Sequence, residues 1–145
     1  MINKLRVRAH GESGFTLVEL LVVMLILGLL AAIAIPSFFN QRDKAKDADA
    51  KSAARTAQTA METYATDHQG SYAAATGGDL ETIEQTLVDA PNPVQVVSSD
   101  VNEYVISVDS ETGTTFSITR LPNGQTLLEC DDPSNAGCPS NGQWG

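Results

Sequence analysis

"ESGFTLVELLVVMLILGLLAAIAIPSFF", Glu12 to Phe39, is the stretch that decides the fold. From Phe15 to Ile35 every residue except Thr16, Glu19 and Gly28 is apolar. A helix of that length rises about 31 Å, the thickness of a bilayer's hydrocarbon core. The stretch therefore predicts one membrane-spanning helix with a carboxylate, Glu19, near its start. An acid inside such a helix costs roughly 2.5–3.5 kcal/mol on insertion scales, and intramembrane carboxylates usually have a partner or a task. A secretory signal peptide competes for the same residues, because a basic segment precedes them and "AAIAIP" offers small residues for cleavage. Its apolar region should hold only about 7–15 uncharged residues, whereas this one is longer and contains Glu19.

Charge is distributed unevenly around the span. Lys4, Arg6 and Arg8 precede it, Arg42, Lys44, Lys46, Lys51 and Arg55 follow it, and Arg120 is the one later base. The net charge is −9 in 145 residues, and acids from Glu62 to Asp132 dominate the part that folds in water. Such a surface disfavours phosphate, so direct nucleic-acid binding is not expected. Roughly 100 residues remain outside the membrane, enough for one modest core. The basic flank at Lys4, Arg6 and Arg8 favours a cytoplasmic N-terminus, although the bases after the span weaken the argument. Cys130 and Cys138 are the only cysteines. An even count outside the cytosol reads as a disulfide, which would put the C-terminal part outside.

A short basic leader ending in Gly14, then "FTLVE" and an apolar helix, resembles the class III signal of type IV pilins and type II secretion pseudopilins. The resemblance implies cleavage between Gly14 and Phe15 by a prepilin peptidase, and N-methylation of Phe15 as the new first residue. Glu19 then becomes the acidic fifth residue. Its implied partner is the Phe15 ammonium of a neighbouring subunit, a contact that sets axial register as helices leave the bilayer for a filament. A buried pair can break even energetically and still specify register. The plainer alternative pairs Glu19 within its own chain. Pro36 falls where many such pilins carry a helix-kinking proline. Gly28 and Pro36 bracket a stretch that is locally unwound in the family's filaments, and "AAIA" between them permits close helix packing. Ser13 departs from the pattern, which often has Lys or Arg before the glycine. The match runs from about Gly14 to Tyr72.

Past the span, no glycine or proline interrupts the chain between Pro36 and His68. Ala50, Ala53, Ala54, Ala57, Ala60, Met61 and Tyr64 recur at spacings of three and four, marking one small apolar helix face. Arg42, Lys44, Asp47, Lys51, Arg55 and Glu62 alternate in sign and read mainly as a solvated surface. "DHQG" supplies the stop, with Gly70 able to take the left-handed conformation, and Pro36 is expected as a bend or break inside the long helix. "TGGDLETIEQTLVDAPNP" reads as a loop with a short helix capped by Asp79, carrying Leu80, Ile83 and Leu87 on one face. "VQVV", "EYVISVD", "TFSITR" and "QTLLE" read as four strands of an antiparallel meander, with turns at "SETGT" and "LPNG".

The expected fold is therefore α+β: a long transmembrane-to-amphipathic N-terminal helix packed on a small antiparallel sheet, the type IV pilin fold. Residues 1–14 are the leader, 15–35 the transmembrane and assembly helix, and 36–69 its amphipathic continuation. Residues 70–100 form a loop with a short helix, and 101–145 the sheet with a disulfide-closed tail. That disulfide would be worth about 2–3 kcal/mol for so short a loop.

No catalytic constellation is present. His10 lies in the leader and His68 at the helix end, where a solvated or capping role is expected. No phosphate loop or zinc spacing occurs. Asp131, Asp132, Ser134 and Asn135 could offer oxygens to calcium, but the spacing is not that of an EF-hand, and a disulfide-closed acidic turn accounts for the same residues. No cofactor and no metal are expected, nor enzymatic activity. The leading functional expectation is the main structural subunit of a type IV pilus, held as a single-pass membrane protein and then assembled at the cell surface. Its partners would be further copies of itself, the prepilin peptidase and an inner-membrane assembly platform. A pseudopilin of a secretion-like or DNA-uptake system is the alternative. A membrane-anchored binding domain ranks third and leaves "GFTLVE" unexplained.

Overall fold

The structure, a computed structural model, describes residues 14–133 and 136–145. The chain divides into two compact units that meet between Ser37 and Phe38, and helix α1 (Leu17–Asp67) runs through both. In the first unit α1 carries the apolar run with its side chains uncovered. It stays helical through Gly28 and Pro36, so of the bend or break expected at the proline, the break does not appear in the single chain. What Pro36 removes is one amide, the donor that would otherwise serve the carbonyl four residues earlier.

In the second unit the small-residue face of α1 is buried as its spacing requires: Ala50, Ala54, Ala57, Ala60, Met61, Tyr64 and Ala65 all pack into the core. The opposing layer is a four-stranded antiparallel meander in the order β1-β2-β3-β4. The strands are β1 (Val94–Ser99), β2 (Tyr104–Asp109), β3 (Thr115–Arg120) and β4 (Thr126–Cys130). Alternation puts Tyr104, Ile106 and Val108 on the inner side of β2, and the register sets Ile106 beside Ile118 and Val108 beside Phe116. Alanines on the helix leave room for these larger side chains, a large-on-small arrangement across the layer. Gly113 (φ 92°) and Gly124 (φ 84°) close the two hairpins that follow β2 and β3 in the left-handed conformation a side chain would resist.

The stop of α1 is as expected. Gly70 (φ 87°) donates its amide to the Ala65 carbonyl at 2.7 Å, a left-handed closure. The short helix α2 (Gly77–Ile83) begins earlier than the sequence suggested. Thr76, not Asp79, is its cap: the Thr76 hydroxyl accepts from the Asp79 amide, and the Asp79 carboxylate accepts from the Thr76 amide at 2.9 Å. This reciprocal box satisfies two end donors where an Asp79 cap would satisfy one. A 3₁₀ turn (Gln85–Leu87) then buries Leu87 beside Leu80, while Ile83 stays at the surface. The outer edge of β4 is covered by the chain's own tail, with Glu129 bridging Gln143 and the Cys130 amide donating to the Gly142 carbonyl at 2.8 Å. Among the described residues no such strand covers the outer edge of β1, and a bulge between Val96 and Ser98 interrupts its register.

Candidate functional site

Two regions carry functional geometry: the uncovered start of α1 and the docked C-terminal loop of the second unit. At the start, Phe15 (76% exposed) and Leu17 (78%) stand free, and no residue in the most apolar window of α1 is buried within the chain. By length and composition α1 can cross a membrane. The Thr16 hydroxyl accepts the Glu19 amide at 3.2 Å, capping the first turn. This is half of the Thr-x-x-Glu box spelled by "TLVE", a signal the sequence offered and the reading above did not use. It places Glu19 in the first turn, one turn from Phe15, where a carboxylate also complements the positive helix end. Among the described residues no heavy atom lies within 4 Å of the position a Gly28 Cβ would take, so none of them requires a glycine there. The leader residues Lys4, Arg6, Arg8, His10, Glu12 and Ser13 lie outside the described residues.

In the second unit Asp47 is the centre of a lock. The sequence reading set it among solvated charges, but it is fully buried. The reason is phase: Asp47 precedes Ala50 by three positions and so falls on the alanine face. Its Oδ1 accepts the hydroxyls of Ser110 (2.6 Å) and Thr112 (2.5 Å) from the β2–β3 turn, and its Oδ2 accepts the Gly137 amide at 2.7 Å. One turn on, the Lys51 ammonium donates to the Gly137 carbonyl. Gly137 is held so close that a Cβ there would sit 2.6 Å from the Asp47 Cβ. Gly137→Ala is therefore expected to loosen the loop and lower the melting temperature; an unchanged melt would mean that the loop docks elsewhere.

That loop is closed by a disulfide between Cys130 and Cys138, as the sequence predicted, and no free cysteine remains among the described residues. Native protein should take up no thiol label, and reduction should cost about 2–3 kcal/mol of unfolding free energy, read as a fall in urea midpoint. Labelling without reductant would sink this pairing. Trp144 docks beside the loop: its ring meets Phe116 edge-on at 5.9 Å, Arg55 lies over it at 5.3 Å, and its indole N–H donates to the Glu129 carbonyl at 2.8 Å. Asp131 accepts the Thr115 amide at 2.8 Å. Of the other residues weighed for calcium, Asp132 is described while Ser134 and Asn135 lie outside the described residues, and no group of three His, Cys, Asp or Glu side chains converges among those described.

At the far end of the sheet, Glu62 accepts from the hydroxyls of Tyr72 (2.7 Å) and Tyr104 (3.3 Å), with Arg120 at 3.7 Å. Burial first, then the hydrogen bond to Glu62 and its charge, push the Tyr72 phenol up to about 12. Burial and then the Glu62 charge raise Tyr104 further. Phenols in an unfolded chain ionise near pH 10. The neutral phenols' contribution to stability is thus complete below about pH 10 and is lost as pH rises toward the folded values. The urea midpoint should stay level up to about pH 10 and then fall; a level midpoint to about pH 12 would remove the two tyrosines from the account. At the end of α1, His68 stacks on Tyr64 with ring centroids 3.8 Å apart and its Nδ1 lies 2.8 Å from the Tyr64 carbonyl, a capping position and one of the two roles expected of it.

Residues 10–35 match a family model described as the prokaryotic N-terminal methylation motif, and residues 36–138 match one described as type IV minor pilin ComP, DNA uptake sequence receptor. The chain belongs to the type IV pilin family. Among relatives of this pilin, the type IV major pilin protein PilA of Myxococcus xanthus is 42% identical over 53 residues, 37% of this chain and 24% of that protein. Type II secretion system core protein G of Pseudomonas aeruginosa is 40% identical over 57 residues, 39% of this chain and 40% of that protein. A fimbrial protein of Pseudomonas aeruginosa is 29% identical over 107 residues, 71% of this chain and 70% of that protein. The first two matches thus span less than half of the relatives' own lengths. No solved structure matches the chain. Pilins and pseudopilins are structural subunits, and the antiparallel sheet on the long helix agrees with the fold expected from sequence.

Proposed function

We propose that this pilin is the main structural subunit of a type IV pilus. In this reading prepilin peptidase cuts between Gly14 and Phe15, Phe15 is N-methylated, and an assembly platform in the inner membrane lifts the subunit into a surface filament. Before assembly the chain is a single-pass membrane protein with its N-terminus in the cytoplasm. One observation carries the reading: the chain buries none of its most apolar α1 window. A surface of that size must be covered either by lipid or by other subunits. Phe15 and Glu19 supply register, while Gly28 and Pro36 mark where helices approach or unwind on packing.

The matched description as a DNA uptake sequence receptor favours a second reading, a minor subunit that captures DNA. The charges weigh against it. Lys46 pairs with Glu111 at 3.0 Å, Arg120 with Glu62, and Lys51 with the Gly137 carbonyl, leaving few cations to meet phosphates on an acidic domain. Mass spectrometry and electron microscopy of sheared cell-surface material test the proposal. The expected result is long filaments of a chain starting at methylated Phe15. A start near Pro36, or a subunit confined to short membrane-held assemblies, would overturn it, the latter in favour of a pseudopilin. Tight DNA binding by the detergent-solubilised chain, persisting at physiological salt, would favour the receptor.

A further inference from the structure

The second unit has two surface features that lack partners among the described residues and are complementary to each other. The first is Phe38–Lys44 on α1. Phe38 (67% exposed) and Phe39 (53%) stand edge to face at 6.4 Å with no cover, and among the described residues no ion pair or hydrogen bond engages Arg42 or Lys44. The second is an open groove of about 460 Å³. Its helical wall is Asp49, Ser52, Ala53 and Thr56, and Leu87, Ala90 and Pro91 form much of the opposite wall. Among the described residues Asp49 has no ion pair, and beside the groove stand Val88 (53% exposed) and Asp89, an exposed carboxylate that also lacks one there.

We propose that the Phe38–Lys44 segment of one copy of this chain seats in the Asp49/Asp89 groove of another. The aromatic rings would cover the apolar walls, and Arg42 and Lys44 would meet Asp49 and Asp89 at the rim. The short side chains of Ser52, Ala53 and Thr56 let a second helix approach closely. Charge complementarity selects a second copy over other occupants: the domain is acidic overall, yet its two unengaged cations sit beside its two most exposed aromatics. The two surfaces are different patches, so the contact is heterologous. Repetition then produces an open helical array unless the rotation happens to close. This inference rests on the filament reading and adds the contact outside the membrane that orients each globular unit.

The test uses the full chain assembled in cells. Lys44→Cys and Asp89→Cys together, treated with a short flexible bis-maleimide on sheared filaments, should give a ladder of cross-linked subunits; each single variant should not. Engineered thiols are unambiguous because Cys130 and Cys138 are bonded to each other. Separately, Arg42→Glu with Lys44→Glu should lower the filament yield about tenfold, and adding Asp49→Lys and Asp89→Lys should recover at least about half of it. If the cysteine variant does not assemble, this charge exchange alone decides. Filaments that form at parental yield with no ladder above the single variants overturn the inference and leave the filament reading intact; absence of filaments from the parent chain overturns that reading instead. If the charge reversal changes membrane retention and not assembly, Arg42 and Lys44 serve lipid headgroups and the inference fails.

Discussion

Asp47→Ala is expected to lower the melting temperature of the globular unit by about 15 °C, read by near-ultraviolet circular dichroism on the full chain in detergent. The substitution removes the acceptor for two hydroxyls and one backbone amide at a fully buried position. Hydrogen bonds to a charged group are worth about 1.5–3 kcal/mol each, but their losses do not add, so about 3–4 kcal/mol is expected in all. For a domain of about 100 residues, 1 kcal/mol corresponds to roughly 4 °C. Asp47→Asn should cost less, because its carbonyl oxygen can still accept from Ser110 and Thr112 while its amide faces the Gly137 N–H. A shift under about 3 °C for the alanine variant would mean that water replaces the carboxylate and that Asp47 does not hold the loop.

Glu19→Val is expected to leave membrane insertion and leader cleavage intact and to reduce filaments by more than about tenfold. Valine removes a charge that costs free energy in the bilayer, so partitioning should improve. What is lost is the carboxylate proposed to meet the Phe15 ammonium of a neighbour. Glu19→Gln separates charge from side-chain shape: glutamine keeps the length and polarity of the side chain but carries no charge, and the bond to the Thr16 hydroxyl is made by the backbone amide of residue 19 in either variant. If register depends on charge, the two variants fail alike; if a polar side chain of that length suffices, glutamine assembles and valine does not. The quantity to compare is the ratio of sheared filament to cleaved, membrane-held subunit. Parental ratios in the valine variant would leave the cost of Glu19 without an explanation.

The fold was legible because its signals are periodic. The alanine spacing from Ala50 to Tyr64 located the buried helix face, and alternation in Tyr104, Ile106 and Val108 located the sheet. Boundaries set by side-chain hydrogen bonds were harder. Thr76 lay outside the hydrophobic pattern that marked α2, and its role depended on the reciprocal bond with Asp79. Asp47 was missed for the opposite reason: its position matched the buried face but its charge suggested water. Only tertiary structure, which brings Ser110, Thr112 and Gly137 from distant parts of the chain, supplies the partners that make burial tolerable. Docking of Trp144 likewise depends on Phe116 and Arg55, neither of which its own neighbourhood in the chain announces.

The tail laid along β4 bears on a hazard that any crowded store of such subunits faces. A sheet with two open edges can recruit strands from its neighbours and grow into an amyloid-like ribbon. Here one edge is occupied by residues of the same chain, through Gly142 and Gln143, and the Cys130–Cys138 disulfide tethers the chain that leads into that segment. The other edge, β1, is bulged between Val96 and Ser98, which twists it away from straight pairing. Polymerisation through strands is thereby suppressed in a molecule whose helix is proposed to polymerise. Truncation before Gly142 should release that block, and the products to look for are thioflavin-positive aggregates among membrane-held subunits.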